Sequence, residues 1–211
     1  MKIRDLLYGD HYPYDRNAPD TPPFNPQTWG GTDPIFGDLI DEIKPARIVE
    51  VGTWKGGSAI TMSRHAPEAE IICVDTFLGA PWHWENPQRR SGLGLFNGFP
   101  TLFLAFQRAV LANGRQDYIT PMPMTSRQAA SMFREWGESA DMVYIDAGHE
   151  QWAVSSDIHA WWGLVNPGCV MFGHDFTTAH PEVCEAVRCF FGDGGFEVRG
   201  DFWVVRKGGA G

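Results

Sequence analysis

The 211-residue chain lacks any apolar run of membrane-spanning length, any basic stripe and any C-x-x-C pair. A helix needs about 20 consecutive apolar residues to cross a bilayer, so no membrane role is expected. The N-terminus, MKIRDLLYGDHYPYD, has no apolar h-region, and a cytoplasmic protein is the expectation. A net charge of −9 without clustered Lys or Arg argues against a nucleic-acid partner. The four cysteines, Cys73, Cys169, Cys184 and Cys189, do not have the spacing of a zinc or redox motif. Free thiols are expected, buried in strands for Cys73 and Cys169. Internal repeats and low-complexity segments are absent. The dinucleotide fingerprint G-x-G-x-x-G is missing as well, because Trp54 stands where its second glycine belongs. That weighs against a dinucleotide oxidoreductase.

What the chain does have is alternation. Hydrophobic residues make up 43% and charged residues 20%, enough for one domain with a full core. Short β-branched runs predict strands near 46–51, 70–75, 117–121, 141–146 and 168–173. Helical spacing predicts helices near 58–65, 100–113, 125–137, 150–163 and 180–191. A further helix follows Thr32 or Asp33 as cap, with Pro34 at its first position. The chain closes with FEVRGDFWVVRK, two strands around Gly200 and Asp201. Such alternation implies a mostly parallel sheet with helices on both faces and one antiparallel strand at the end. Residues 1–31 read as an N-terminal arm rich in Pro, Gly, Asp and Asn, with Tyr8, Tyr12, Tyr14, Phe24 and Trp29 to pack it onto something. Residues 32–211 read as a single domain.

The most informative stretch is RIVEVGTWKGGS, residues 47–58. A buried strand turns into a helix through Gly52, Gly56 and Gly57. Glycines there let backbone approach a ligand, and the helix start offers free N–H groups. Glu50 repels a pyrophosphate but suits an ammonium. Two further strands end in acids, Asp75 and Asp146. Doubly wound sheets place a ribose-binding carboxylate about 20 residues past the glycine turn, and ligands gather beyond the carboxyl ends of strands. CVMFGHDF brings His174 and Asp175 to the same crevice.

The pattern E-x-G-x-x-x-G-x-S, formed by Glu50, Gly52, Gly56 and Ser58, resembles the first motif of class I S-adenosylmethionine-dependent methyltransferases. It is most similar to their catechol and macrocin O-methyltransferase-like branches, and the resemblance spans roughly residues 34–176. It implies a Rossmann-like, seven-stranded fold and a cofactor set of Glu50, Gly52, Thr53, Gly56, Ser58, Asp75, Ser126 and Asp146. Glu50 would hold the methionine ammonium. Ser126 doubles, with Thr125, as a helix N-cap candidate. Asp146-x-x-His149 resembles the macrocin-type pattern in which the acid holds a divalent metal, Mg²⁺ or Mn²⁺, and the histidine removes a proton. Asp146, His174 and Asp175 are then the metal ligands, with His149 and Asp146 catalytic. Where the family carries Asp-Asp or Asp-Asn, this chain has His174-Asp175, and imidazole shifts preference toward Mn²⁺, Fe²⁺ or Zn²⁺. A nearby cation and a helix N-terminus would both favour a neutral His149.

The acceptor implied is a small hydroxylated molecule, a sugar or secondary metabolite. Two alternatives stand beside this: a metal-independent methyltransferase with His149 as base, and a non-catalytic module that binds the cofactor or a partner. Residues 76–99 lack a period and read as a lid, acceptor loop or dimer contact. There Trp82, Trp84 and Phe96 would line an acceptor pocket, and His83, Arg89 and Arg90 would meet a polar or anionic acceptor. Trp161 and Trp162 are adjacent on a helix and cannot both face the sheet. One of them would face a partner subunit in a homo-oligomer.

Overall fold

The structure, a computed structural model, describes residues 2–8, 14 and 31–208. Seven strands form one sheet: β1 Arg47–Val51, β2 Glu70–Asp75, β3 Ile119–Pro123, β4 Ala140–Ile145, β5 Val165–Gly173, β6 Glu197–Arg199 and β7 Phe202–Arg206. Their order is β3-β2-β1-β4-β5-β7-β6. Strands β1 to β5 run parallel, and β7 is antiparallel to both β5 and β6. The order reverses between β1 and β4, and a crevice for ligands opens at such a switch.

Nine α-helices are described: α1 Ile3–Tyr8, α2 Ile35–Ile43, α3 Gly57–His65, α4 Pro81–Glu85, α5 Pro87–Arg90, α6 Leu102–Ala112, α7 Ser126–Trp136, α8 Gln151–Trp162 and α9 Pro181–Phe191. Alternate residues of each strand serve opposite faces, as the pleat requires. Ile48, Ile71, Tyr144 and Phe172 meet Phe36, Leu39, Met62 and Phe106 of α2, α3 and α6. Val49, Ile72, Val143 and Met171 meet Phe133, Ile158, Trp161 and Val187 of α7, α8 and α9. Each such burial contributes about 1.5–3 kcal/mol, so the two covered faces hold the sheet rigid beneath its strand ends. Near-continuous apolar strands are the signature of a sheet covered in this way.

Several boundaries differ from expectation. Strand β3 starts two residues later than its apolar run suggested, after a turn at Tyr118. Strand β5 extends back to Val165 through Pro167 and Gly168, whose turn chemistry hides an irregularity in the pairing with β4. Pro34 takes the N-cap position of α2 rather than its first turn, and Asp33 Oδ1 accepts the Ile35 N–H at 2.9 Å. Residues 76–99 are not a bare loop. Pro81 and Pro87 start α4 and α5, Asn86 caps the second, and Phe77, His83 and Leu93 are buried beneath them.

The N-terminal segment docks on the β3 side. The Ile3 N–H donates to Glu70 Oε1 at 2.6 Å, Tyr8 Oη to the Pro121 carbonyl at 2.7 Å and Tyr14 Oη to the Ile119 carbonyl at 3.0 Å. Tyr12, Phe24 and Trp29 lie outside the described residues. Trp161 enters the core, while Trp162 packs on Phe191 at 5.0 Å and under Lys207, within the same chain. All four cysteines are free; Cys169 is only partly buried, beside Asp141. Among the described residues no helix is long and apolar enough to cross a membrane.

Candidate active site

The glycine turn after β1 is closed by contacts that tolerate no side chain. Gly52 has φ +89°, and a Cβ there would meet the Asp146 carbonyl oxygen at 2.1 Å. The ends of β1 and β4 therefore touch only because residue 52 is glycine. Gly56, φ +84°, precedes α3 and lies against the Phe106 ring.

Glu50 lies below this turn rather than at its surface. It is fully buried and accepts from the hydroxyls of Thr53, at 2.5 Å, and Ser58. Burial pushes its carboxyl up to about 7, and the two hydroxyl bonds hold it back from rising further. Glu50 is not among the residues that line the cavity, whereas its two partners Thr53 and Ser58 are.

That cavity, of about 480 Å³, opens over the ends of β1, β2, β4 and β5 and is lined by Gly52, Thr53, Ser58, Asp75, Ser126 and Asp146 among others. Asp75 is held by two backbone donors, Trp54 N–H at 2.9 Å and Phe77 N–H at 2.7 Å, one on each oxygen. Burial raises the Asp75 carboxyl, against the pull of these amides. Thr125 caps α7, accepting from the Gln128 N–H, while Ser126 Oγ accepts from Trp161 Nε1 at 3.0 Å. Ser126 lines the cavity, but its hydroxyl is engaged toward α8.

At the far end of the cavity the structure brings together Asp146, His149, His174 and Asp175. Asp146 accepts from Tyr144 Oη at 2.8 Å. His174 Nδ1 lies 4.0 Å from Asp146 Oδ1 and 3.3 Å from Asp175 Oδ1, and His149 Nε2 lies 2.9 Å from Asp175 Oδ2. Burial pushes the Asp146 carboxyl up to about 6, opposed by His174 and Tyr144. Burial would raise Asp175 too, yet bonds from His149 and His174 hold it well below the ordinary carboxylate range. Those same bonds to Asp175 raise both imidazoles, outweighing their desolvation.

The donor atoms of Asp146, His174 and Asp175 lie within 4.8 Å of one another. Ligands bonded at about 2.1 Å stand about 3–4 Å apart around one ion, so this set fits a divalent cation with little movement.

Three features escaped the sequence reading. Tyr144 shares a strand face with Asp146, as i and i+2 must. His180, at the start of α9, places Nε2 3.6 Å from Asp175 Oδ1. Trp54, His83 and Trp82 form a continuous stack along the cavity wall, with centroid spacings of 4.5 and 3.6 Å. In the 76–99 segment, Trp82 and His83 line the cavity, whereas Trp84 and Phe96 are exposed away from it. Arg89 lies over the Trp82 ring, and Arg90 binds the Trp84 carbonyl.

A family model described as a methyltransferase domain matches residues 49–176, more than half of the chain, and the protein belongs to that family. By family and fold it is a class I S-adenosylmethionine-dependent methyltransferase. No curated protein sequence matches it. Among solved structures it resembles the O-methyltransferase TomG from Streptomyces achromogenes, involved in tomaymycin synthesis, at 12% identity and TM-score 0.61, covering 86% of this chain and 82% of that one. The O-methyltransferase from Bacillus cereus aligns at 13% identity and TM-score 0.61, covering 88% and 84%. At these identities the likeness is one of fold.

Proposed function

We propose that the protein transfers a methyl group from S-adenosylmethionine to a hydroxyl of a small molecule such as a sugar or secondary metabolite. The observation that carries the reading is one cavity holding a ribose-type acid, Asp75, at one end and the Asp146–His149–Asp175 cluster at the other. The two neighbours described above are O-methyltransferases determined with S-adenosylmethionine and S-adenosylhomocysteine, which supports the choice of cofactor.

In this reading Asp75 takes the ribose hydroxyls, and Ser58, Thr53 and Asp146 receive the methionine end. Glu50 fixes the two hydroxyls from beneath. S-adenosylmethionine supplies an electrophilic methyl, so the chain's own task is alignment and proton removal. A divalent metal on Asp146, His174 and Asp175 would supply Lewis-acid lowering of the acceptor hydroxyl's pKa. His149 Nε2–H donates to Asp175, so Nδ1 is the ring nitrogen free to take the acceptor proton, and Asp175 orients the ring and stabilises the imidazolium that results.

The same 2.9 Å contact supports the metal-free alternative, because a His–Asp pair is a complete base by itself. Radiolabelled methyl transfer to a panel of hydroxylated acceptors, with and without EDTA, separates the two. Loss of turnover with EDTA and its return with Mg²⁺ or Mn²⁺ is expected. Failure to bind S-adenosylhomocysteine in a calorimetric titration would remove the whole reading.

A further inference from the structure

Asp175 has a second group of donors on its other side. His149 Nε2 lies 2.9 Å from Oδ2, and His180 Nε2 lies 3.6 Å from Oδ1. The two imidazole rings are 4.5 Å apart at 66°, and all three donor atoms fall within 4.8 Å of one another. Ligands bonded at about 2.1 Å stand about 3 Å apart at right angles and about 3.4 Å apart at the tetrahedral angle. The separations of 2.9 and 3.6 Å already sit at that spacing. Three separate segments deliver the donors: the turn after β4, the end of β5 and the cap of α9. All three side chains are partly exposed, so an ion has access from solvent.

We propose that His149, Asp175 and His180 form a second metal site, for a late transition-metal dication of the Co²⁺, Ni²⁺ or Zn²⁺ kind, and that filling it inhibits methyl transfer. Two imidazoles and one carboxylate suit such ions, whereas Mg²⁺ takes oxygen ligands. Loading puts the ion on His149 Nε2 in place of the proton shared with Asp175, so the neutral ring carries its proton on Nδ1 and has no lone pair left to take another. The inhibitory consequence rests on the base role proposed above for His149; the metal site itself does not. His180 makes no side-chain cap to its own helix, so its replacement removes no cap bond.

Cobalt chloride titrated into the protein alone, read by calorimetry and by visible absorption, tests this without any turnover. Wild type, His180→Ala and Asp146→Asn are compared, with a thermal melt to confirm that each is folded. Expected are Co²⁺ binding to wild type, at least about 10-fold weaker binding in His180→Ala, and retained Co²⁺ absorption in Asp146→Asn. Unchanged Co²⁺ affinity in His180→Ala overturns the proposal. So does loss of the absorption in Asp146→Asn, which would place the ion in the Asp146–His174–Asp175 group. Absence of Co²⁺ binding to wild type at millimolar concentration overturns it too. EDTA-insensitive turnover would instead count against the metal-assisted reading of catalysis and leave this site standing.

Discussion

Replacing Asp157 with asparagine is expected to stabilise the protein at alkaline pH and to leave it unchanged in acid. Asp157 lies on α8, only 7% exposed, with the Ser126 hydroxyl as its side-chain partner. Burial pushes its carboxyl up to about 6 from an ordinary 3.8, and the Ser126 bond only partly opposes this. Because the folded value exceeds the unfolded one, ionisation costs more in the folded state. Below pH about 3 both states hold the proton and no penalty exists. It grows as pH rises and is complete above about 6 to 7. A shift of roughly two units corresponds to about 3 kcal/mol. Asparagine has the same shape, stays neutral and still accepts from Ser126, so it removes most of that penalty. Urea unfolding at pH 8 should show a gain of about 1–3 kcal/mol, or a melting point higher by about 2–10 °C for a chain of this size. At pH about 3, below both values, the two proteins should nearly coincide. An equal or lower stability of the variant at pH 8 would mean that the carboxylate is solvated or paired, and the reasoning would fail.

Two further substitutions probe the site. Asp75→Asn should weaken S-adenosylhomocysteine binding about 10- to 150-fold, the loss of a charge-assisted bond worth roughly 1.5–3 kcal/mol, and wild-type affinity by calorimetry would exclude Asp75 as an anchor. His149→Ala should lower turnover about 10²- to 10⁴-fold while S-adenosylhomocysteine affinity holds; an unchanged rate would move the base elsewhere.

The strand–helix alternation was legible because both faces of the sheet are covered, which leaves apolar strands such as IVEV and IICV plain in the sequence. The three acids at strand ends were legible for the same topological reason. Glu50 was harder. Its residue type suits an ammonium, but its full burial and its bonds to the Thr53 and Ser58 hydroxyls leave no trace in the spacing. The helices within 76–99 are too short to show a period, although Pro81 and Pro87 mark their starts. His180 could not be joined to Asp175 from spacing, because the intervening turn begins with Asp175 itself in the left-handed region, φ +61°. Such a reversal leaves no periodic trace.

The C-terminal hairpin has one more consequence. A Cβ on Gly173 would collide with the Trp203 ring at 2.5 Å, the His174 ring lies 4.6 Å from that of Phe202, and the Phe176 N–H donates to the Asp201 carbonyl. The turn that presents His174 and Asp175 is therefore seated on residues beyond the recognised domain match, which stops at 176. Catalytic segments exchanged between relatives at that boundary would carry the acids and imidazoles across and leave their seat behind. The smallest transplantable unit of this enzyme includes its last strand.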